Sequence, residues 1–206
     1  MTKPQLINRY TAQERKNHWA VAICFILLAL SGLALFHPAF FFLTSLFGGG
    51  VWARILHPFI GVILFALFMY MARGFAPHNR ITDADREWMG HIKDVLCNRD
   101  DKLPEVGKYN AGQKYLFWTL VTCIPVLFVS GVVIWQPYFA AGMPVDLLRI
   151  AVLVHALAAF VAIATIIVHI YAAIWVKGSI RAMTRGTVSK AWARHHHAGW
   201  YKEISK

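Results

Sequence analysis

The sequence predicts an all-α membrane protein, a bundle of four transmembrane helices. Apolar residues make up 58% of its 206 positions, more than a soluble domain of this size ordinarily carries. They gather into four low-charge runs, each near the ~20 residues needed to cross a hydrocarbon core. The basic residues then set the topology. Of the 21 lysines and arginines, all but Arg54 and Arg149 lie before the first run, between the second and third, or after the fourth. Such residues collect on the cytoplasmic side. Both termini and the middle loop are therefore expected there, in a bacterial inner membrane.

The first span is expected over residues 19–36, ending at His37-Pro38 in a turn. It follows basic residues as a signal peptide would. It is too long for a typical signal core and lacks a small-residue cleavage site, so it reads as a retained anchor. The second span is expected over 55–72, between Arg54 and Arg73. The third covers 115–135 and stops before Pro137. The fourth covers 150–176 and ends at Lys177-Gly178, long enough to tilt or project beyond the bilayer. No alternating pattern of a membrane barrel occurs. The loop 73–114 mixes acidic and basic residues and reads as a soluble segment. The tail 177–206 is basic, and the whole of 1–206 reads as a single membrane domain. The formal charge of +11 needs no nucleic-acid partner, because membrane topology accounts for it. Cys24, Cys97 and Cys123 form no CxxC pair and no motif for covalent haem attachment.

The ten histidines carry the chemistry. His18 stands at the cytoplasmic start of the first span, and His57 stands near the outer start of the second. The fourth span holds His155 near the outer side and His169 near the inner side. Depths therefore match in pairs: His18 with His169, and His57 with His155. Fourteen positions along a helix turn the face by roughly 40° and rise about 21 Å. One helix can thus offer one ligand to each of two stacked haems, with the first two spans supplying the opposite ligands. Two imidazoles on a six-coordinate haem iron suit electron transfer better than oxygen activation. Each ligand's second ring nitrogen should donate to a carbonyl, water or carboxylate. Gly32, Gly61 and Gly131 either make room for flat macrocycles or allow close helix packing.

A single membrane histidine can equally be a satisfied polar residue or a proton relay. Four at matched depths across three spans fit haem better. His155 and His169 are too far apart to share one zinc ion. His37 reads as a turn residue, and His78 and His91 as solvated. His195, His196 and His197 read as a solvated basic tail rather than a metal site. No catalytic nucleophile, paired carboxylate site or phosphate loop is present.

Several stretches extend this reading: Asn17-His18-Trp19, Arg54-Ile55-Leu56-His57-Pro58-Phe59, and residues 107–114 with Lys108-Tyr109-Asn110-Ala111-Gly112-Gln113-Lys114. Gly131-Val132-Val133-Ile134-Trp135 and Trp175-Val176-Lys177-Gly178-Ser179-Ile180 follow. On these the chain resembles, almost end to end, the gamma (cytochrome b556) subunits of membrane-bound, quinone-reducing formate dehydrogenases. Ala198 departs from the proline that this family has after the tail histidines. The four-histidine scaffold alone is shared with cytochromes b of membrane-bound hydrogenases.

The resemblance implies two haems b, an outer one between His57 and His155 and an inner one between His18 and His169. It implies a molybdenum or tungsten catalytic subunit that oxidises formate and an iron–sulfur subunit that delivers electrons to the outer haem. Electrons would pass to the inner haem and then to menaquinone or ubiquinone near the cytoplasmic face. The chain would be an electron-transfer and quinone-reducing subunit, with formate oxidation in a partner chain. The resemblance leaves room for a higher oligomer of the complex. It places the quinone beside Asn110, Gly112 and Gln113, with His169 serving both haem and quinone. The residues alone fit a turn and cap into the third span equally well. The rival readings are a cytochrome b of a hydrogenase or other molybdoenzyme, a proton-coupled transporter, and a haem-free membrane anchor.

Overall fold

A computed structural model describes residues 5–97, 99, 103–136 and 138–205. Strand β1 (Leu6–Asn8) leads into helix α1 (Ala12–Phe36). A 3₁₀ segment (Pro38–Phe47) connects α1 to α2 (Gly50–Phe75), and a second one (Ala76–Asn79) follows. Two short helices, α3 (Asp83–Gly90) and α4 (Ile92–Leu96), precede α5 (Ala111–Val133). After a 3₁₀ turn at Ala140–Gly142 comes α6 (Val145–Trp175). The chain closes with α7 (Ser179–Arg185), β2 (Thr187–Ser189), α8 (Lys190–His196) and α9 (Ala198–Ile204).

Helices α1, α2, α5 and α6 are long and apolar enough to cross a membrane. In α6 the mean hydropathy of an 18-residue window reaches 2.7, yet only 17% of that window is buried. Phe160 on this helix is 73% exposed. A surface this apolar is stable only against lipid. The chain is a multi-pass membrane protein.

Each expected span lies within one of these helices, apart from small changes at the ends. The third run was expected to reach residue 135, but α5 stops at Val133. There the Trp135 amide bonds the Val132 carbonyl (3.2 Å) and the chain turns; the expected stop, Pro137, lies outside the described residues. The fourth helix stops at Trp175, one residue early.

The chain divides into two compact units. One comprises Lys16–Ala72 and Thr119–Ile167, the greater part of the long helices. Few side chains are sequestered within it, and those that are polar make specific contacts. Asn17 is buried on α1 and its amide donates to the Leu67 carbonyl of α2 (3.1 Å). Phe65 of α2 stacks on Phe128 of α5, with centroids 4.1 Å apart and planes 11° apart. Gly61 would bring a Cβ 4.0 Å from Leu28 Cδ2, an ordinary helix-packing contact.

The other unit contains the chain up to Arg15, Arg73–Trp118 and everything from Val168 onward. Its local structure follows from capping chemistry. Thr11 and Glu14 form a capping box at the start of α1, and Thr82 and Asp85 do the same for α3. Such boxes satisfy amides that a helix start leaves unpaired. Asp85 also pairs with Lys114 at 2.7 Å, both side chains largely buried. Burial opposes ionisation of Asp85, but bonds from Lys114 and Thr82 outweigh it and hold the carboxyl below its usual range. Strands β1 and β2 pair antiparallel, Ile7 opposite Val188. This two-stranded sheet was not expected from the sequence, because three-residue strands carry no usable periodicity.

The tail is not solvated throughout, contrary to the sequence reading of His197. His195 is exposed, but His197 is 3% exposed. Its Nδ1–H donates to the Gly107 carbonyl (2.8 Å), and its Nε2 lies 3.1 Å from Nη2 of Arg9 as acceptor. Arg9 also donates to the Lys108 carbonyl (2.6 Å). Its guanidinium lies 4.8 Å from the Trp200 ring centre and 5.1 Å from that of Trp192. Aromatic faces thus help to stabilise a buried cation. These contacts tie the N-terminal strand, the 105–109 loop and the tail together.

Burial, with Arg9 adding to it, lowers the His197 pKa from the usual 6.5 to about 3. The docked tail therefore holds a neutral ring. A released tail binds a proton below pH 6.5, whereas the docked one binds it only near pH 3. Docking is unaffected above pH 6.5 and weakens as pH falls towards 3, by about 1.4 kcal/mol per pH unit for one proton. Hydrogen-exchange protection factors across residues 187–204, corrected for the intrinsic rate at each pH, should fall over that interval, and His197→Gln should flatten the dependence.

Gly186 sits at φ +80°, and a Cβ there would lie 2.7 Å from the Tyr10 carbonyl oxygen. Its own carbonyl accepts from the amides of Arg9 (2.8 Å) and Tyr10 (3.2 Å). Gly186→Ala should cost about 1–2 kcal/mol from the backbone alone, plus the clash. Limited proteolysis should then release the tail while the long helices survive.

Candidate haem site

Among the four histidines of the long helices, His57 and His155 lie in the same compact unit. His57 sits on α2 directly before Pro58, within the helix. His155 sits on α6. Their ring centres are 6.3 Å apart, with planes inclined at 64°. Two metal–imidazole bonds of about 2 Å each, plus the depth of each ring behind its ligating nitrogen, come to about 6 Å. The spacing therefore fits one metal ion held between two imidazoles.

Each ring's Nδ1 meets a serine, and His155 also interacts with the Leu127 carbonyl. On α1, Ser31 donates its hydroxyl proton to the Leu27 carbonyl (2.8 Å) and lies 2.7 Å from Nδ1 of His57. On α5, Ser130 donates to the Val126 carbonyl (2.6 Å) and lies 3.0 Å from Nδ1 of His155. A hydroxyl has one proton. With that proton given to a helix carbonyl, each serine oxygen accepts from the imidazole Nδ1–H. In that tautomer Nε2 is unprotonated on both rings, as metal ligation requires.

The residue after each serine is glycine. A Cβ on Gly32 would lie 3.3 Å from Cε1 of His57, and one on Gly131 would lie 3.3 Å from Cε1 of His155. A larger residue would press on the ring. Of the three glycines considered from sequence, two thus border the histidines, and Gly61 serves helix packing.

His18 is half-buried on α1 and its ring meets that of Trp19 edge-on, with centroids 5.5 Å apart. His169 is half-buried on α6. They belong to different compact units. Asn110 and Gln113 form a reciprocal cap on α5. The Gln113 amide donates to Asn110 Oδ1 (2.9 Å), and the Asn110 amide donates to Gln113 Oε1 (3.0 Å). Both side-chain carbonyls are thus used, which leaves the two NH₂ groups for any further partner. A Cβ on Gly112 would meet Trp88 at 3.6 Å. His37 accepts from the Ala39 amide (3.2 Å) as the cap of its turn, and His91 pairs with Asp94 at 3.2 Å.

The serines were missed in the sequence. Ser31 precedes His57 by 26 positions and Ser130 precedes His155 by 25. That near-repeat of Ser-Gly followed by His was the available signal. A serine in an apolar run otherwise attracts no notice, since it can bond its own helix carbonyl.

A family profile described as prokaryotic cytochrome b561 matches residues 9–186. The nitrate-inducible formate dehydrogenase cytochrome b556(Fdn) subunit of Escherichia coli (strain K12) is 46% identical over 206 residues, covering 100% of this chain and 95% of the relative. The cytochrome b556(fdo) subunit of formate dehydrogenase from the same strain is also 46% identical, with 97% of its length covered. The formate dehydrogenase cytochrome b556 subunit of Haemophilus influenzae is 41% identical over 197 residues, covering 96% of this chain and 83% of the relative. The chain belongs to the prokaryotic cytochrome b561 family, on the branch of the formate dehydrogenase cytochrome b556 subunits.

Proposed function

We propose that the chain is the di-haem electron-transfer subunit of a respiratory formate dehydrogenase in a bacterial inner membrane, with both termini cytoplasmic. One observation supports this above the rest: His57 and His155 stand 6.3 Å apart with each Nδ1 bonded to a serine. A proton relay would want imidazoles free to change which nitrogen is protonated, and both of these are fixed. A haem-free anchor would have no use for the gap.

Bound at this pair and at a second pair, His18 and His169, two haems b would supply one-electron redox centres at two depths. The protein's part is to hold four imidazoles in the neutral, correctly protonated form and to keep the site within apolar helices. The matched depths of His18 and His169 in the sequence support the inner pair. A partner iron–sulfur subunit would deliver electrons on the outer side, from a catalytic subunit that oxidises formate with molybdenum or tungsten. The His57–His155 pair would stand at the start of the path and the His18–His169 pair at its end. A quinone would be reduced near the cytoplasmic face, close to His169, Asn110, Gly112 and Gln113. The NH₂ groups of Asn110 and Gln113 are the donors suited to a quinone carbonyl. The relatives favour formate dehydrogenase over hydrogenase as the partner enzyme, since each is named for the former.

His57→Ala or His155→Ala should remove one of two haems from the purified complex, measured as haem per polypeptide. Formate oxidation with an artificial dye should persist while quinone reduction stops. Two haems retained in either variant would reject the ligand pair.

The quinone role of Asn110 must be separated from its role as a cap. Asn110→Ala should lose about 1 kcal/mol of cap energy, so Asn110→Asp, an equally good cap without the NH₂ group, is the sharper test. Quinol formation should fall in the aspartate variant with both haem spectra intact. Wild-type quinone kinetics there would exclude the residue from the site.

A further inference from the structure

Ser31 and Ser130 have no role in the function argued so far, yet they occupy equivalent places. Each lies one turn beyond the carbonyl it bonds, on the helix preceding the histidine helix, with a glycine immediately after it. Each receives an imidazole at Nδ1, at 2.7 Å for His57 and 3.0 Å for His155. Both are buried, Ser31 at 0% and Ser130 at 5% exposed, so water does not substitute for them. We propose that Ser31 and Ser130 are positioning residues that fix the tautomer and orientation of the two axial imidazoles and set the reduction potential of the outer haem. This rests on the reading of His57 and His155 as its ligands.

The argument is one of hydrogen-bond direction. The partner of Nδ1–H decides how much electron density an imidazole gives to a metal on Nε2. A carboxylate draws the proton strongly and makes the ring a better donor. A hydroxyl oxygen already donating to a helix carbonyl is a neutral, moderate acceptor. The serines thus orient the rings without giving them imidazolate character. Removing an acceptor weakens the ring as a donor, destabilises the oxidised iron relative to the reduced, and moves the potential upward. It also loosens the ring, more for His57 than for His155, which keeps its interaction with the Leu127 carbonyl.

The alternative is that each serine only bonds its own helix and fills space, as buried helical serines often do. The two roles part in a spectroscopic and potentiometric experiment on the whole complex. Alanine keeps the helix and nearly keeps the volume, and Ser130→Thr keeps the hydroxyl. Ser31→Ala and Ser130→Ala should each retain two haems. Each should shift the midpoint of the outer couple to a more positive potential and alter its ferric low-spin electron paramagnetic resonance signal. The inner couple should not move, and Ser130→Thr should titrate as wild type. An outer couple with wild-type potential and signal in both alanine variants overturns the proposal. Equal loss of that haem from Ser130→Ala and Ser130→Thr also overturns it, because packing alone would then be at stake. Failure of the underlying reading looks different: the unmutated complex would lack a bis-imidazole signal that disappears in His57→Ala.

Discussion

An imidazole placed among apolar helices must find a partner for its N–H, and the rest of this structure depends on how that need is met. An unsatisfied polar group in such surroundings costs a few kcal/mol. Here Ser31 and Ser130 meet it, each from a neighbouring helix. The bond does more than satisfy the ring. It also holds the Nδ1 edge of each ring against a neighbouring helix, so the two rings stand 6.3 Å apart with their planes inclined at 64°.

The polar unit solves a different problem by similar means. Arg9 is buried, and its charge is met by the Lys108 carbonyl, a neutral imidazole and aromatic faces. His197 is neutral because Arg9 and burial make a charged ring unfavourable there. Asp85 and Lys114, by contrast, are a conventional buried pair, and such a pair is costly to break by removing one partner. Capping residues begin α1, α3 and α5, so the junctions between polar segments and long helices rest on local bonds.

Much of this was legible in the sequence. The four helices could be read because length and composition decide a span, and the pairing of His57 with His155 followed from depth alone. The end of α5 was read two residues late, since a turn bond at Trp135 ended it before the expected break. His197 was misread for a physical reason: its partners Arg9 and Gly107 are distant in the chain, and burial by distant partners leaves no local mark. The Asn110–Gln113 cap is legible because its residue types and spacing are local. Ser31 and Ser130 were invisible, since their task is defined across helices.

Ser31-Gly32 with His57, and Ser130-Gly131 with His155, form one recurring local pattern. The helical hairpin α1–α2 and the helical hairpin α5–α6 carry the same device in the same order, so each half of the histidine pair is built in the same way. The correspondence ends at this pair. Counting back from Ser130 as far as His18 lies from Ser31 reaches Phe117, and counting on from His57 as far as His169 lies from His155 reaches Met71. The halves thus differ: each carries a histidine at a place where the other carries an apolar residue. The two hairpins are alike around His57 and His155 and unlike away from them, which makes the pair of hairpins chemically polar along its length.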